Sequence, residues 1–123
     1  MKASRLERIA SEAVAATQRE LPTDIRGAAR AVPVHFESAP GPDVLAEGFE
    51  PDLLGLFTGR PHGEEPGAGD AAPAQIHIYT ANLWDFAGED VGAYREEVRL
   101  TYLHELGHFL GWDEDQLAAR GLD

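Results

Sequence analysis

The sequence predicts an α+β fold, and three observations carry that prediction. Helix-periodic segments stand at both ends of the chain. Short stretches of strand-like alternation lie between them. Turn residues separate each segment from the next.

The first helix is expected over residues 5–20. Ser4 and Glu7 have capping-box spacing, and Leu6, Ile9, Ala13 and Ala16 recur at helical intervals before Pro22 stops the run. A short second helix is expected over 24–29. Val32, Val34 and Phe36 alternate with Pro33, His35 and Glu37, which reads as a strand, and Pro33 puts it at a sheet edge or a strand start. Pro40-Gly41-Pro42-Asp43 is a turn, with room for one helical turn after it over 43–47. The apolar run 53–57, interrupted by Gly55, reads as a short strand. Residues 59–73 are rich in Gly, Pro, Ala and acid, and read as a surface loop. Alternation returns over 75–80, where Ile76 and Ile78 flank His77. Asn82 is expected to cap a short turn through Leu83, Trp84 and Phe86. A long helix should start at residue 90 or 91 and run to Leu110, burying Val91, Tyr94, Val98, Tyr102, Leu106 and Phe109. Gly111 then ends it in a left-handed conformation. A last turn is expected over 116–120. Trp84 and Trp112 read as core or rim packing, with the lining of a cleft as the alternative.

The chain of 123 residues is read as one domain. Its net charge of −12 is uneven. Residues 1–30 hold six basic and four acidic side chains, and residues 31–123 hold the other four basic and eighteen acidic ones. Nucleic acids and anionic membranes are polyanions, so an acidic body argues against both as partners. It favours neutral or cationic ligands and concentrates divalent cations nearby. There is no cysteine, which excludes disulfides and thiolate metal sites. No stretch approaches the ~18–20 apolar residues that span a bilayer. Charges run through the first twenty residues, with no apolar signal core among them, so the cytoplasm is the expected compartment.

His104-Glu105-Leu106-Gly107-His108 carries the chemistry. Four helical residues turn through about 400°, so the two imidazoles stand ~40° apart around the axis and about 6 Å apart along it. Both can then reach one ion at ~2.0–2.1 Å. Glu105, beside the first ring, is suited to take a proton from a metal-bound water. Catalytic zinc needs a third protein ligand and one open position. Were the helix to continue, Glu114 would lie about 15 Å along the axis from His104. A break at Gly111 lets the chain reverse and bring Glu114 back, as in the zincin pattern H-E-x-x-H-x-x-G-x-x-[HDE]. Asp113 and Asp115 compete for that place, and His35, His62 and His77 are remote candidates. His77 is the most favoured of these, because its strand should run near the site helix.

At these residues the chain resembles a bacterial family of small zinc metallopeptidases, the minimal zincins. The run EEVRLTYLHELGHFLGWDEDQL from Glu96 to Leu117 is similar to the family's site helix and following turn. PDLLGLFTGRP from Pro51 to Pro61 resembles its central hairpin region, and Gln75 to Tyr79 its strand before the helix. The resemblance implies a compact zincin-like domain whose short mixed sheet packs on the N-terminal helix and the C-terminal site helix. It also implies zinc (Zn2+) held by the positions matching His104, His108 and Glu114. Family members commonly carry aspartate at the last position, so Glu114 is a departure by one methylene. The motif is metzincin-like too, but the only methionine is Met1, so a Met-turn is absent.

The expected activity is peptide-bond hydrolysis, with Glu105 as general base and a peptide or unfolded protein as substrate. The protein is expected to be a monomer or weak oligomer. Tyr79, His77 and Tyr102 are the candidate oxyanion donors. An extended substrate is expected to add as a strand beside residues 75–80. The alternatives are a zinc module without catalysis and an interaction domain that keeps the motif.

Overall fold

A computed structural model of the chain describes residues 1–63 and 72–121. Its elements run α1 (Ala3–Glu20), α2 (Thr23–Arg30), β1 (Val34–Glu37), α3 (Pro42–Ala46), β2 (Gly55–Thr58), β3 (Gln75–Tyr79), α4 (Thr80–Phe86), α5 (Val91–Leu110) and α6 (Glu114–Ala119). The three strands form one mixed sheet in the order β1-β3-β2. β1 pairs parallel to β3, with His35 opposite His77, and β2 pairs antiparallel to it, with Leu56 opposite His77. This is the α+β architecture expected, with the sheet packed on α1 and α5. Of the loop expected over 59–73, residues 64–71 lie outside the described residues.

α1 starts at Ala3, with Lys2 at its N-cap position and no side-chain cap. Ser4 is therefore inside the helix, and the Ser4–Glu7 capping box does not form. At an exposed terminus, water satisfies the first N–H groups, so the helix can begin without a capping side chain. Its buried face is Leu6, Ile9, Ala10, Val14 and Thr17 rather than the Ala13/Ala16 stripe, because Val14 offers more apolar area than either alanine. The Thr17 hydroxyl donates to the Ala13 carbonyl at 2.8 Å, which removes the cost of burying it.

Pro33 precedes β1, and its carbonyl accepts from the Ile76 N–H at 3.0 Å. β1 is an edge strand, as a proline at its start requires. Alternation along β3 turns Ile76 and Ile78 to one face and Gln75, His77 and Tyr79 to the other. Asn82 does not cap α4. It lies inside that helix, and its amide donates to the carbonyls of Pro51 (2.8 Å) and Leu53 (2.9 Å), tying the approach to β2 onto the helix.

α5 forms as expected. Asp90 accepts from the Ala93 N–H at 2.8 Å, and Gly111 sits at φ +75°. Tyr94 and Tyr102 are fully buried, and the Tyr94 hydroxyl donates to the Leu6 carbonyl at 2.9 Å, joining α5 to α1. Trp112 is partly buried against the core, with the Arg120 guanidinium 4.1 Å above its ring. No helix among the described residues is long and apolar enough to cross a membrane.

Candidate metal centre

Two elements build the site on α5, one at each side. The first is α6. The chain leaves α5 through a Schellman turn: the Trp112 N–H donates to the Gly107 carbonyl at 2.8 Å and the Gly111 N–H to the His108 carbonyl at 3.1 Å. Asp113 then opens α6 as its N-cap. It accepts from the Gln116 N–H at 2.8 Å, and the Gln116 side chain accepts from the Asp113 N–H at 2.9 Å. α6 lies flush on α5 because residue 107 has no side chain. A Cβ there would stand 2.7 Å from Leu117 Cδ1. Leu117 fills that place and is buried, which leaves Glu114 beside the Nδ1 of His104.

The second element is β2. Gly55 faces α5 so closely that a Cβ would stand 2.5 Å from Thr101 Cγ2 and 3.4 Å from Glu105 Cγ. The Phe57 N–H donates to Glu105 Oε1 at 2.9 Å.

Between these elements, the His104 and His108 rings stand with centroids 4.5 Å apart, and both side chains are about half exposed. Glu105 lies beneath them at 7% exposure. Its Oε2 is 3.8 Å from His104 Nε2, and its Oε1 is 3.4 Å from His108 Nδ1. The donor atoms of His104, Glu105 and His108 all lie within 4.8 Å of one another. Glu114 meets His104 but stands outside that group of three.

This donor set fits a metal ion. Ligand atoms around one zinc at ~2.0–2.1 Å stand roughly 3.3–3.5 Å apart, and the donor atoms here, all within 4.8 Å of one another, are near enough to converge on one ion. A buried carboxylate also needs compensation. Glu105 receives one backbone N–H and otherwise faces two imidazoles, so a cation held there would supply the missing charge.

A family model of zincin-like metallopeptidases matches residues 29–122. The chain belongs to the zincin-like metallopeptidase family. No curated protein matches it. Membership in this family implies a metal, usually zinc, and His104, Glu105 and His108 are the residues placed to meet one.

The other residues singled out in this zincin-like protein fall elsewhere. Asp113 is engaged as the α6 cap, and Asp115 lies exposed in the first turn of α6. The strand of His77 does run near α5, but its side chain points the wrong way. Gly55, opposite Ile78, faces α5, so α5 covers the Ile76/Ile78 face and His77 lies on the other. There His77 stacks on His35 at 5.3 Å. Its Nδ1 meets Glu37 Oε1 at 2.8 Å, and its Nε2 lies 3.4 Å from the Thr58 hydroxyl. The backbone N–H of His62 donates to the Phe109 carbonyl at 2.8 Å, and its ring packs against the Phe109 ring.

Of the three candidate oxyanion donors, His77 lies on the sheet face away from α5 and Tyr102 is engaged inside the core. Tyr79 is fully buried on the His77 face of the sheet, and its hydroxyl finds no partner among the described residues. Burial pushes its phenol up, and the Glu37 and Glu105 carboxylates push it further. The Tyr102 hydroxyl accepts from Gln18 on α1 at 3.0 Å, inside the core. Burial raises its pKa as well, against smaller lowering by Gln18 and Arg30.

The place expected for an added substrate strand also needs correction. β3 is the central strand, with both edges paired, so no peptide can add beside residues 75–79. The edge that faces the site belongs to β2. A pocket of about 360 Å³ opens there, lined by Leu53, Leu54, Gly55, Leu100, Thr101, His104 and Glu105. Reading the sequence alone missed Gly55, Thr101 and the Phe57 amide. The one signal for them was a glycine inside an apolar strand run, which marks close backbone approach.

Proposed function

We propose that the protein is a zinc-dependent peptidase, with His104, His108 and Glu114 holding the metal and Glu105 as general base. The observation that carries this reading is the setting of Glu105. The Phe57 amide holds Oε1, which also lies 3.4 Å from His108 Nδ1, Oε2 lies 3.8 Å from His104 Nε2, and the residue forms part of the wall of an open pocket. A purely structural metal site would not need a buried carboxylate fixed beside a solvent-filled hollow.

Bound zinc would lower the pKa of a water and polarise a substrate carbonyl. Glu105 accepts the proton as the water oxygen adds to the carbonyl carbon. It then delivers that proton to the departing amine as the C–N bond breaks. The outer edge of β2 orients an extended peptide through backbone hydrogen bonds. Leu53, Leu54 and Leu100 favour an apolar side chain in the pocket. A second hollow of about 260 Å³, which shares Leu54 as a wall, is lined by Asp52, Asn82, Asp85 and Phe86, and its two carboxylates favour a cationic group. A nucleic acid or an anionic membrane would be repelled by the net charge of −12.

The test is elemental analysis of the purified protein, followed by digestion of an unfolded protein and a peptide library with and without chelator. Glu105→Gln should keep zinc and lose about 10²–10⁴-fold in turnover. Full activity in that variant would remove Glu105 as the base. A zinc-replete wild type that cleaves nothing in the library would remove the peptidase reading.

A further inference from the structure

β2 spends one edge on β3. The Tyr79 N–H donates to the Leu54 carbonyl at 3.0 Å, so antiparallel alternation places Leu56 and Thr58 in the bonded pairs. The N–H and C=O groups of Gly55 and Phe57 therefore point outward. An outward N–H on an edge strand ordinarily meets water or an added strand. The one at Phe57 instead meets Glu105 Oε1 at 2.9 Å. It can do so because β2 lies unusually close to α5, and the missing side chain at residue 55 allows that approach.

We infer that the Phe57 backbone N–H, brought to α5 by Gly55, is the positioning group for Glu105. It pins Oε1, which lies 3.4 Å from His108 Nδ1, and so fixes the carboxylate with Oε2 3.8 Å from His104 Nε2. A glutamate has three side-chain torsions, and without this bond the carboxylate can swing away from the rings. The inference deepens the peptidase reading and rests on it for the word catalytic. It also limits substrate pairing: while Glu105 holds the Phe57 amide, a peptide on this edge pairs through Gly55 and the Phe57 carbonyl.

Two measurements on the full chain test it. The first is amide hydrogen exchange by NMR, which needs no turnover. Phe57 should exchange slowly in the wild type. Glu105→Ala should speed it about tenfold to hundredfold, as loss of a charge-assisted bond implies. Leu56 and Thr58, held by the ladder, should not change. Unchanged exchange at Phe57 in Glu105→Ala overturns the inference, whatever the protein cleaves. The second measurement is kinetic. Gly55→Ala should lower kcat about tenfold or more, with zinc content retained and Phe57 exchange accelerated. Thr101→Ser removes the methyl that the new Cβ would strike first and leaves only the 3.1 Å approach to the His77 carbonyl, so Gly55→Ala/Thr101→Ser should recover much of both kcat and slow exchange. A folded Gly55→Ala protein with full kcat and a protected Phe57 amide overturns the inference too. If the wild type has no turnover, the peptidase reading fails, and the exchange experiment alone decides whether the clamp exists.

Discussion

Gly107→Ala sets two effects of known size against each other. In a helix interior, alanine is favoured over glycine by about 1 kcal/mol. At residue 107, however, the added Cβ would lie 2.7 Å from Leu117 Cδ1, 3.2 Å from Cγ and 3.3 Å from Cδ2. Turning the isopropyl group cannot clear all three atoms, because Cγ itself is close. Ordinary contact begins near 3.4 Å, so even with Cδ1 turned away α6 must give by a few tenths of an ångström to free Cγ. Overpacking of this kind costs about 1–3 kcal/mol, which outweighs the gain in propensity. The expected net loss in stability is therefore small, about 0–2 kcal/mol. The larger effect should be on metal binding, because α6 carries Glu114 to His104. Zinc affinity should fall about 10–100-fold, the range seen when groups that support a metal site are displaced. Competition against a chromophoric chelator measures the affinity, and thermal unfolding of the apo protein measures the stability. Adding Leu117→Ala should restore affinity, while costing about 2–5 kcal/mol for the lost buried side chain. A Gly107→Ala protein with a raised Tm and unchanged zinc affinity would refute the view that α6 docking sets Glu114 at the site.

Two other substitutions and a pH scan extend this. Glu114→Ala should weaken zinc more than about 100-fold if the carboxylate is a ligand, whereas a drop of about 10–100-fold would make it the partner that orients the His104 ring. The same chelator competition, run at falling pH, should show zinc released on acidification, because both imidazoles must be neutral to bind it. Burial raises the pKa of Tyr79, Tyr94 and Tyr102 above the ordinary tyrosine value of 10.0. The protons are thus held more tightly in the folded chain than in the unfolded one. Their contribution is intact below about pH 10 and is lost as pH rises through the folded values. Phenolate absorbance should therefore appear together with loss of far-UV ellipticity above pH 10, and titration of all three tyrosines in a folded chain would contradict their burial. Tyr94→Phe should cost about 0.5–1.5 kcal/mol by removing the bond to the Leu6 carbonyl, read from denaturant unfolding.

Local patterns announced most of the elements. α5 was legible from both ends: Asp90 could cap it, and Gly111 could leave it left-handed at no steric cost. The pairing of His104 with His108 follows from helix pitch alone. Where the sequence reading went wrong, a neighbouring element decided. Ser4 and Asn82 are good caps by type, yet each lies within a helix, and Asn82 finds better acceptors in the 51–53 segment. His77 sits on the expected strand but on the face away from α5, because side-chain direction depends on which face the helix covers. β3 became central rather than an available edge once β1 and β2 both paired with it.

The sequence by itself determined the α+β order of elements, the two imidazoles on one helical face, the carboxylate between them and the reversal after Leu110. These depend on bonds and repeats a few residues long. Only the tertiary structure decided that β2 supplies the edge at the site, that the Phe57 amide holds Glu105, and that α6 sets Glu114 against His104. Those contacts join residues that are distant in the chain or on different elements. Two glycines make room for them: Gly55 lets β2 lie against Thr101 and Glu105, and Gly107 leaves the space that Leu117 fills.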